Sequence, residues 1–348
     1  MIFNSSIEKI IFYNFPVILF SLIPIFLITG PFFTDLSVSL ISVLFIIYCF
    51  KVKNFSYFKN KYFYFFLIFW IYLLLNSIIN NFNLDSLKIS FFYFRYGIFV
   101  IAVTAFLETD DKFIKYFFYC IFICFTALII DGFYEYFFDE LKKNRVTSFF
   151  GDEKILGSYL SRLWPIFFGL SILIIKQKKK IFYLFISIFI LSEVLVFLSA
   201  ERSAFFYINL SAIFVLVFSQ KLLKLRLTIL LSSILLLSII SLINPTAKER
   251  VIDRTLKQMN LVDDKMNLID KKTREKNRLY IFSKEHTEIY KAAYKIFLDN
   301  KVLGAGVKNF RNICNDERYN THRDSCSNHP HNTYIQILSE TGIIGFAF

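Results

Sequence analysis

Long uninterrupted apolar stretches follow one another along most of the chain. A helix needs about 20 mostly apolar residues to cross a bilayer. Stretches of about this length predict membrane-spanning helices at 10–29, 32–50, 62–79, 89–107, 113–138, 154–175, 181–199, 203–219, 227–244 and 333–348. A polar segment, residues 245–331, separates the last two. We therefore expect an all-α polytopic membrane protein, a single multi-pass domain over residues 1–348, with about ten transmembrane helices and one large helical loop before the last.

The composition agrees with this pattern. Of the 348 residues, 56% are apolar and only 19% are charged, below the roughly 25% that is usual in soluble domains. These values argue against a soluble enzyme, a disordered protein and a nucleic-acid-binding domain, so we expect membrane lipids and no nucleic acid among the partners.

Lysine and arginine in short loops favour the cytoplasmic side of a membrane. With the N-terminus inside, the inner loops hold Lys9, Lys51, Lys53, Lys59, Lys61, Lys112, Lys115, Lys176, Lys178, Lys179, Lys180, Lys221, Lys224 and Arg226. The outer short loops hold fewer: Lys88, Lys142, Lys143, Arg145, Lys154 and Arg202. We therefore expect a cytoplasmic N-terminus and place the loop 245–331 outside. The last span stops at Phe348 without a polar flank, which favours a C-terminally truncated fragment that lacks further helices.

Two cysteines, Cys314 and Cys326, lie in the loop 245–331 and are 12 positions apart. In an oxidising compartment we expect them to form a disulfide. Zinc is the competing interpretation because three histidines lie nearby, but the spacing fits no familiar zinc pattern. We therefore predict no metal site.

The arginines are distributed differently from the lysines. Only Arg226 falls in an inner loop, and the other arginines lie outside or within spans. Arginine offers a planar fork that binds phosphate or carboxylate through two hydrogen bonds. Arg95 and Arg162 lie about two turns into their spans, where a charge indicates a function unless it is internally paired or reaches the membrane surface. Together, the arginines predict an anion site that opens on the outer side.

The loop 245–331 has a recognisable order. A polar helix is predicted over 246–260, and an amphipathic helix over 286–298 presents one apolar stripe. The segment 303–310 contains two glycines and is predicted to be a turn. A His–Asn pair, His331 and Asn332, then lies at the mouth of the last stretch, where histidine could act as a general base.

These residues resemble the signature of the O-antigen ligase and Wzy-type polymerase superfamily of bacterial glycan transferases. The signature is His-Asn (or Ser or Gln), nine residues, and Gly-x-x-Gly, and it is matched by His331, Asn332, Gly342 and Gly345. The similarity extends over residues 140–348. It includes the run Glu201-Arg202-Ser203-Ala204 at an outer helix junction.

The resemblance implies a metal-independent membrane glycosyltransferase without a cofactor, in the inner membrane and with the loop 245–331 in the periplasm. The donor would be a glycan on undecaprenyl pyrophosphate, and the acceptor a sugar hydroxyl, on lipid A–core for a ligase of lipopolysaccharide biosynthesis. His331 would take the acceptor proton or orient the hydroxyl, and Arg202 would bind the pyrophosphate. Arg145, Arg162, Arg278 and Asn332 are the further substrate-binding candidates.

Other functions compete with this interpretation. Within the class the first alternative is a polysaccharide repeat-unit polymerase, because Phe346-Ala347 departs from the Thr-Tyr that often follows the motif in ligases. A protein O-oligosaccharyltransferase comes next. A transporter with Arg95 and Arg162 as pathway charges belongs to a different class. Each arginine also has an ordinary interpretation as a surface or paired cation, and His331 as a structural histidine.

Overall fold

The computed structural model describes residues 1, 3, 5–80, 84–110, 112–139, 144–174, 179–218, 223–259, 283–320 and 322–348. Over these ranges the chain forms helices joined by turns, without any strand. The expected all-helical architecture is therefore confirmed.

The principal helices follow the apolar stretches of the sequence. They are α1 (Ser6–Ser21), α2 (Ile23–Thr29), α3 (Pro31–Val52), α4 (Lys61–Ile79), α5 (Leu84–Phe92), α6 (Phe94–Thr109), α7 (Lys112–Phe138), α8 (Leu156–Ile174), α9 (Lys179–Leu198), α10 (Arg202–Phe218), α11 (Leu223–Ile243), α12 (Pro245–Gln258), α13 (Lys284–Asp299), α14 (Phe310–Ile313) and α15 (Thr333–Ala347). The predicted polar helix at 246–260 corresponds to α12. The predicted amphipathic helix at 286–298 corresponds to α13.

The number of spans differs from the expected ten. Within the described ranges, five helical stretches are long and apolar enough to cross a membrane, with α5 and α6 counted as one stretch. The number rises to seven if each of two bent pairs counts as one span. Two further apolar stretches, Leu184–Leu198 within α9 and Arg202–Phe218, are shorter. The last apolar stretch forms α15, which has 15 residues and is broken at Gly342. Ten spans are therefore not confirmed.

Both bent pairs have a local cause. Helices α1 and α2 meet at 51°, next to Pro24, whose ring removes a backbone donor. Helices α11 and α12 meet at 110°. At this second bend the Asn244 side chain accepts a hydrogen bond from the Ala247 amide at 3.0 Å, and Pro245 begins the new helix.

The chain packs into two compact units. The first comprises residues 3–37 and 106–255, and the second comprises residues 38–105 and 256–348, with Met1 belonging to the first. Side chains from α7, α8 and α9 fill the core of the first unit, including the fully buried Phe125, Phe167 and Leu195.

In the second unit, α4 pairs with α5, and the Trp70 indole donates to the Ser90 carbonyl at 3.0 Å. The apolar stripe of α13 packs with α14 and the turn before it, through Ile289, Ala293, Ile296 and Phe310. Helix α13 therefore has its own small core, and this core holds the segment that leads to His331.

Candidate functional site

Glu201 fixes the start of α8 in the first unit. Its carboxylate accepts hydrogen bonds from the Gly157 amide at 2.6 Å, from the Ser158 amide at 3.0 Å and from the Ser158 hydroxyl at 2.8 Å. A Cβ atom at Gly157 would lie 2.5 Å from the Ser199 hydroxyl, so only glycine allows this approach. The run Glu201-Arg202-Ser203-Ala204 therefore begins with a structural cap, in which a negative charge satisfies the free amides of a helix N-terminus.

A second buried carboxylate holds the loop between α7 and α8. Glu135 accepts hydrogen bonds from the Thr147 amide at 2.8 Å and the Ser148 amide at 2.6 Å. Asp131 accepts from the Ser148 hydroxyl at 2.7 Å, and Ser148 has a positive φ of 51°. These contacts fix the loop that carries Arg145.

Arg145 and Arg250 lie close together although 105 positions separate them. Arg250 donates from Nη1 to the carbonyl of Asn144 at 3.3 Å. The pKa of Arg145 is lowered by burial first and also by the like charge of Arg250, while Glu201 opposes the shift. The Nε atom of Arg145 is buried and has no hydrogen-bond partner among the described residues. The carboxylate of Glu201, which acts on Arg145, already accepts hydrogen bonds from α8. The two guanidinium groups therefore form a positively charged cluster suited to binding an anion.

The other predicted arginines have different positions. Arg202 is half-buried and directly follows Glu201 at the start of α10. Arg162 is exposed on α8, about 9 Å along the helix axis from Leu156. Arg278 lies outside the described residues.

Arg95, the other arginine that the transporter hypothesis uses, is paired inside the second unit. Its Nη1 donates to the Ser39 hydroxyl at 3.2 Å, and its guanidinium lies 5.0 Å from the centre of the Tyr96 ring. The internally paired interpretation of this residue therefore has direct support.

His331 lies in the second unit within a group of imidazole rings. Its ring centre is 4.2 Å from that of His329 and 5.5 Å from that of His286 on α13. His331 is exposed and has a positive φ of 56°. Its pKa is lowered first by partial desolvation of the ring, then by His329 and His286, because nearby imidazoles disfavour a further positive charge. The neutral form, which can accept a proton, is thereby favoured.

Asn332 has a structural role at the start of α15. Its side-chain oxygen accepts hydrogen bonds from the amides of Tyr334 at 3.0 Å and Ile335 at 3.2 Å, which is the usual N-cap arrangement. This contact fixes the helix directly after His331.

The glycines of the motif let two backbone segments touch. The Ala305 amide donates to the Ser339 carbonyl, and the Gly306 amide donates to the Glu340 carbonyl, each at 2.9 Å. A Cβ atom at Gly304 or Gly342 would lie 2.4 Å or less from the opposing backbone. Gly342 meets the turn 301–306, and at this crossing α15 breaks.

Helix α4 supports the crossing from one side. Tyr72 donates to the Thr341 carbonyl, and Asn76, which is buried, donates to the Leu303 carbonyl. A Cβ atom at Gly345, the second motif glycine, would lie 2.2 Å from the Thr341 hydroxyl oxygen and 3.1 Å from the Tyr72 ring. The two motif glycines therefore permit close contacts that hold α15, the helix directly after His331.

Cys314 and Cys326 are joined as a disulfide with their Cα atoms 5.2 Å apart, inside the usual range. Cys314 belongs to the small core of α13 and α14. Among the described residues, no group of three or more His, Cys, Asp and Glu side chains is arranged to hold a metal ion.

Several contributors at these sites were not predicted from the sequence. They are Arg250, Glu135, His286 and the pair Tyr72 and Asn76. In the structure, Arg250 lies in a π-helical turn, Glu249–Asp253, and such turns are frequent at functional sites. Polar residues inside an apolar run could have drawn attention to Glu135 and Asn76.

The fold and these sites define a helical membrane protein that carries a basic cluster in one unit and an accessible histidine group in the other. Residues 186–348 match the family model described as O-antigen ligase (Wzy_C). The resemblance to the O-antigen ligase superfamily seen in the sequence is therefore confirmed for residues 186–348. The match includes Arg202 and His331, and it begins at residue 186 rather than 140. No curated protein and no solved structure matches the chain significantly.

The family indicates glycan transfer of the O-antigen ligase type, from a lipid-linked glycan to a glycan acceptor, by a bacterial membrane protein.

Proposed function

We propose that the protein transfers a glycan from undecaprenyl pyrophosphate to a sugar hydroxyl of lipid A–core at the periplasmic face, without a metal ion. The observation that carries the proposal is His331. It lies in the matched family region, exposed and beside two imidazoles that favour its neutral form. A neutral, accessible imidazole is a suitable general base near neutral pH.

The reaction exchanges one bond for another at the anomeric carbon of the donor and moves one proton. The acceptor hydroxyl gives its proton to His331 while its oxygen bonds to the anomeric carbon of the donor sugar. The bond between that carbon and the pyrophosphate oxygen breaks, and undecaprenyl pyrophosphate leaves with the electron pair. Negative charge develops on the leaving group, and fixed positive groups stabilise such charge.

Arginines supply that positive charge in this proposal. Arg202 and Arg145 bind the pyrophosphate, and the position of Arg250 beside Arg145 adds a third cation. Arg162 and Arg278 remain candidates for further donor contacts. Asn332 contributes by fixing the start of α15 and, through its amide nitrogen, by contacting the acceptor.

A repeat-unit polymerase remains the second candidate within the class. The departure at Phe346-Ala347 from the residues that often follow the motif in ligases favours keeping it. The chemistry at His331 would be the same, and only the acceptor would differ. Loss of capped lipopolysaccharide in a deletion strain supports the ligase, whereas loss of long chains alone supports the polymerase.

Two substitutions test the division of roles. His331→Ala removes the proton acceptor and should lower transfer about 10²–10⁴-fold while donor binding persists. Arg202→Lys keeps the positive charge but cannot form the bidentate hydrogen bonds of a guanidinium group. It should therefore weaken donor binding, transfer or both. Donor binding and transfer are measured on purified proteins.

The matched control is His322→Gln. His322 lies in the same loop, and its ring is 3.3 Å from the Asp324 carboxylate. We expect this variant to behave as the wild type. Full transfer by His331→Ala, at matched insertion and expression, would remove the base from the mechanism.

A further inference from the structure

His286 lies beside His331 although 45 positions separate them in the chain. The two ring centres are 5.5 Å apart with the planes inclined at 66°. We propose that His286 is a positioning residue that keeps His331 in its proton-accepting form. This inference rests on the proposed function because it takes His331 as the base.

The ring of His286 is anchored on a rigid element. Ser283 is the N-cap of α13, and its hydroxyl accepts a hydrogen bond from the His286 amide at 3.3 Å. The same hydroxyl contacts Nδ1 of the His286 ring at 2.6 Å. Farther along α13, Ile289, Ala293 and Ile296 are buried in the small core. Because a capped and packed helix holds the imidazole, its distance from His331 is fixed by tertiary structure.

His331 is held from its own side by the backbone. Its positive φ of 56° is uncommon outside glycine, and the following residue, Asn332, caps α15. Two anchored elements, α13 and α15, therefore present these two rings to each other. The arrangement differs from the chance proximity of two surface side chains, which would lack a cap on either side.

Among the described residues, the titratable groups that act on His331 come from two elements. His329 lies on its own segment and His286 lies on α13, where the Tyr290 ring is 6.1 Å from that of His286. Both imidazoles lower the pKa of His331. A lowered pKa keeps the base unprotonated to a more acidic pH. Loss of His286 should therefore raise the pKa of His331 and move the acid limb of the transfer profile to higher pH.

The test compares three variants with the wild type. His286→Asn retains a hydrogen-bonding atom near the Nδ1 position and so preserves the contact with Ser283, but it cannot titrate. His286→Gln provides a second, independent removal of the ring. His322→Gln is the control, because that histidine is in the same loop and its Nδ1 accepts a hydrogen bond from the Asp324 amide at 3.2 Å.

The first measurement does not depend on glycan-transfer activity. Diethyl pyrocarbonate modifies neutral imidazole, so its reaction with His331 is followed against pH by mass spectrometry of the His331 peptide. In both His286 variants the midpoint should rise by up to about half a pH unit, the size that repulsion between charges 5.5 Å apart gives in water. In His322→Gln it should not change.

The second measurement is the pH profile of transfer. The acid limb should move by the same amount in His286→Asn, whereas a merely structural role would lower transfer equally at every pH. An unchanged modification midpoint in folded His286→Asn and His286→Gln overturns the inference. Wild-type protein that transfers no glycan would overturn the proposed function instead, while the modification data would still report on His286.

Discussion

Gly342 has a backbone conformation (φ 64°, ψ −167°) that is essentially restricted to glycine. The residue lies where α15 breaks and where the turn 301–306 crosses it. Its absent side chain leaves room for the Val302 carbonyl, which a Cβ atom would approach to 2.3 Å. At the scale of single residues, the motif therefore combines a candidate base, a helix cap and a glycine that permits a backbone crossing.

Gly342→Ala should destabilise the protein. The backbone conformation alone costs about 1–3 kcal/mol for a residue with a side chain, and the contact with Val302 adds to it. We expect a lower unfolding temperature in detergent and reduced transfer. The control is Gly169→Ala, since a Cβ atom there meets nothing within 4 Å and alanine favours a helix. Equal unfolding temperatures for the two variants would contradict this account.

The segment between α14 and α15 is an element with little regular structure of its own. At the start of this segment, Cys314 is buried with Phe310 and Ile296. Its disulfide to Cys326 closes a loop that ends shortly before His331. Closing a loop of this length contributes roughly 3 kcal/mol when the cross-link restricts the unfolded chain. The element is therefore held by one covalent bond and one small core.

Mass mapping of unreduced protein should find the Cys314 and Cys326 peptides linked. Cys49, Cys120 and Cys124 are free and lie in helices, so they serve as an internal reference. Cys314→Ser should lower the unfolding temperature. Two free thiols at 314 and 326, in protein recovered from an oxidising compartment, would contradict the prediction and reopen the zinc interpretation.

At the scale of the whole molecule, the bias of basic residues makes one prediction about orientation. A reporter that is active only in the periplasm should work when fused near Asp263, a position outside the described residues. A fusion near Asn54, between α3 and α4, should be inactive and serves as the control. Activity of a cytoplasmic reporter at Asp263 would reverse the orientation, and the periplasmic site would fall with it.

The sequence by itself determined the helices and the family. Apolar length gave most of the helices, and the apolar stripe at 286–298 predicted α13 within two residues at its start. The His-Asn motif could be recognised because its members lie within one local segment. Such patterns are set by the geometry of a single helix and its caps, so they can be read from neighbouring residues.

The tertiary structure decided which distant groups act together. Arg250 lies beside Arg145, Glu201 caps α8, and His286 lies beside His331. It also decided that the last apolar stretch breaks at Gly342, because backbone hydrogen bonds to the turn 301–306 replace those of a continuous helix. These contacts depend on how helices pack, and no periodicity along the chain records which remote segment will lie opposite a given residue.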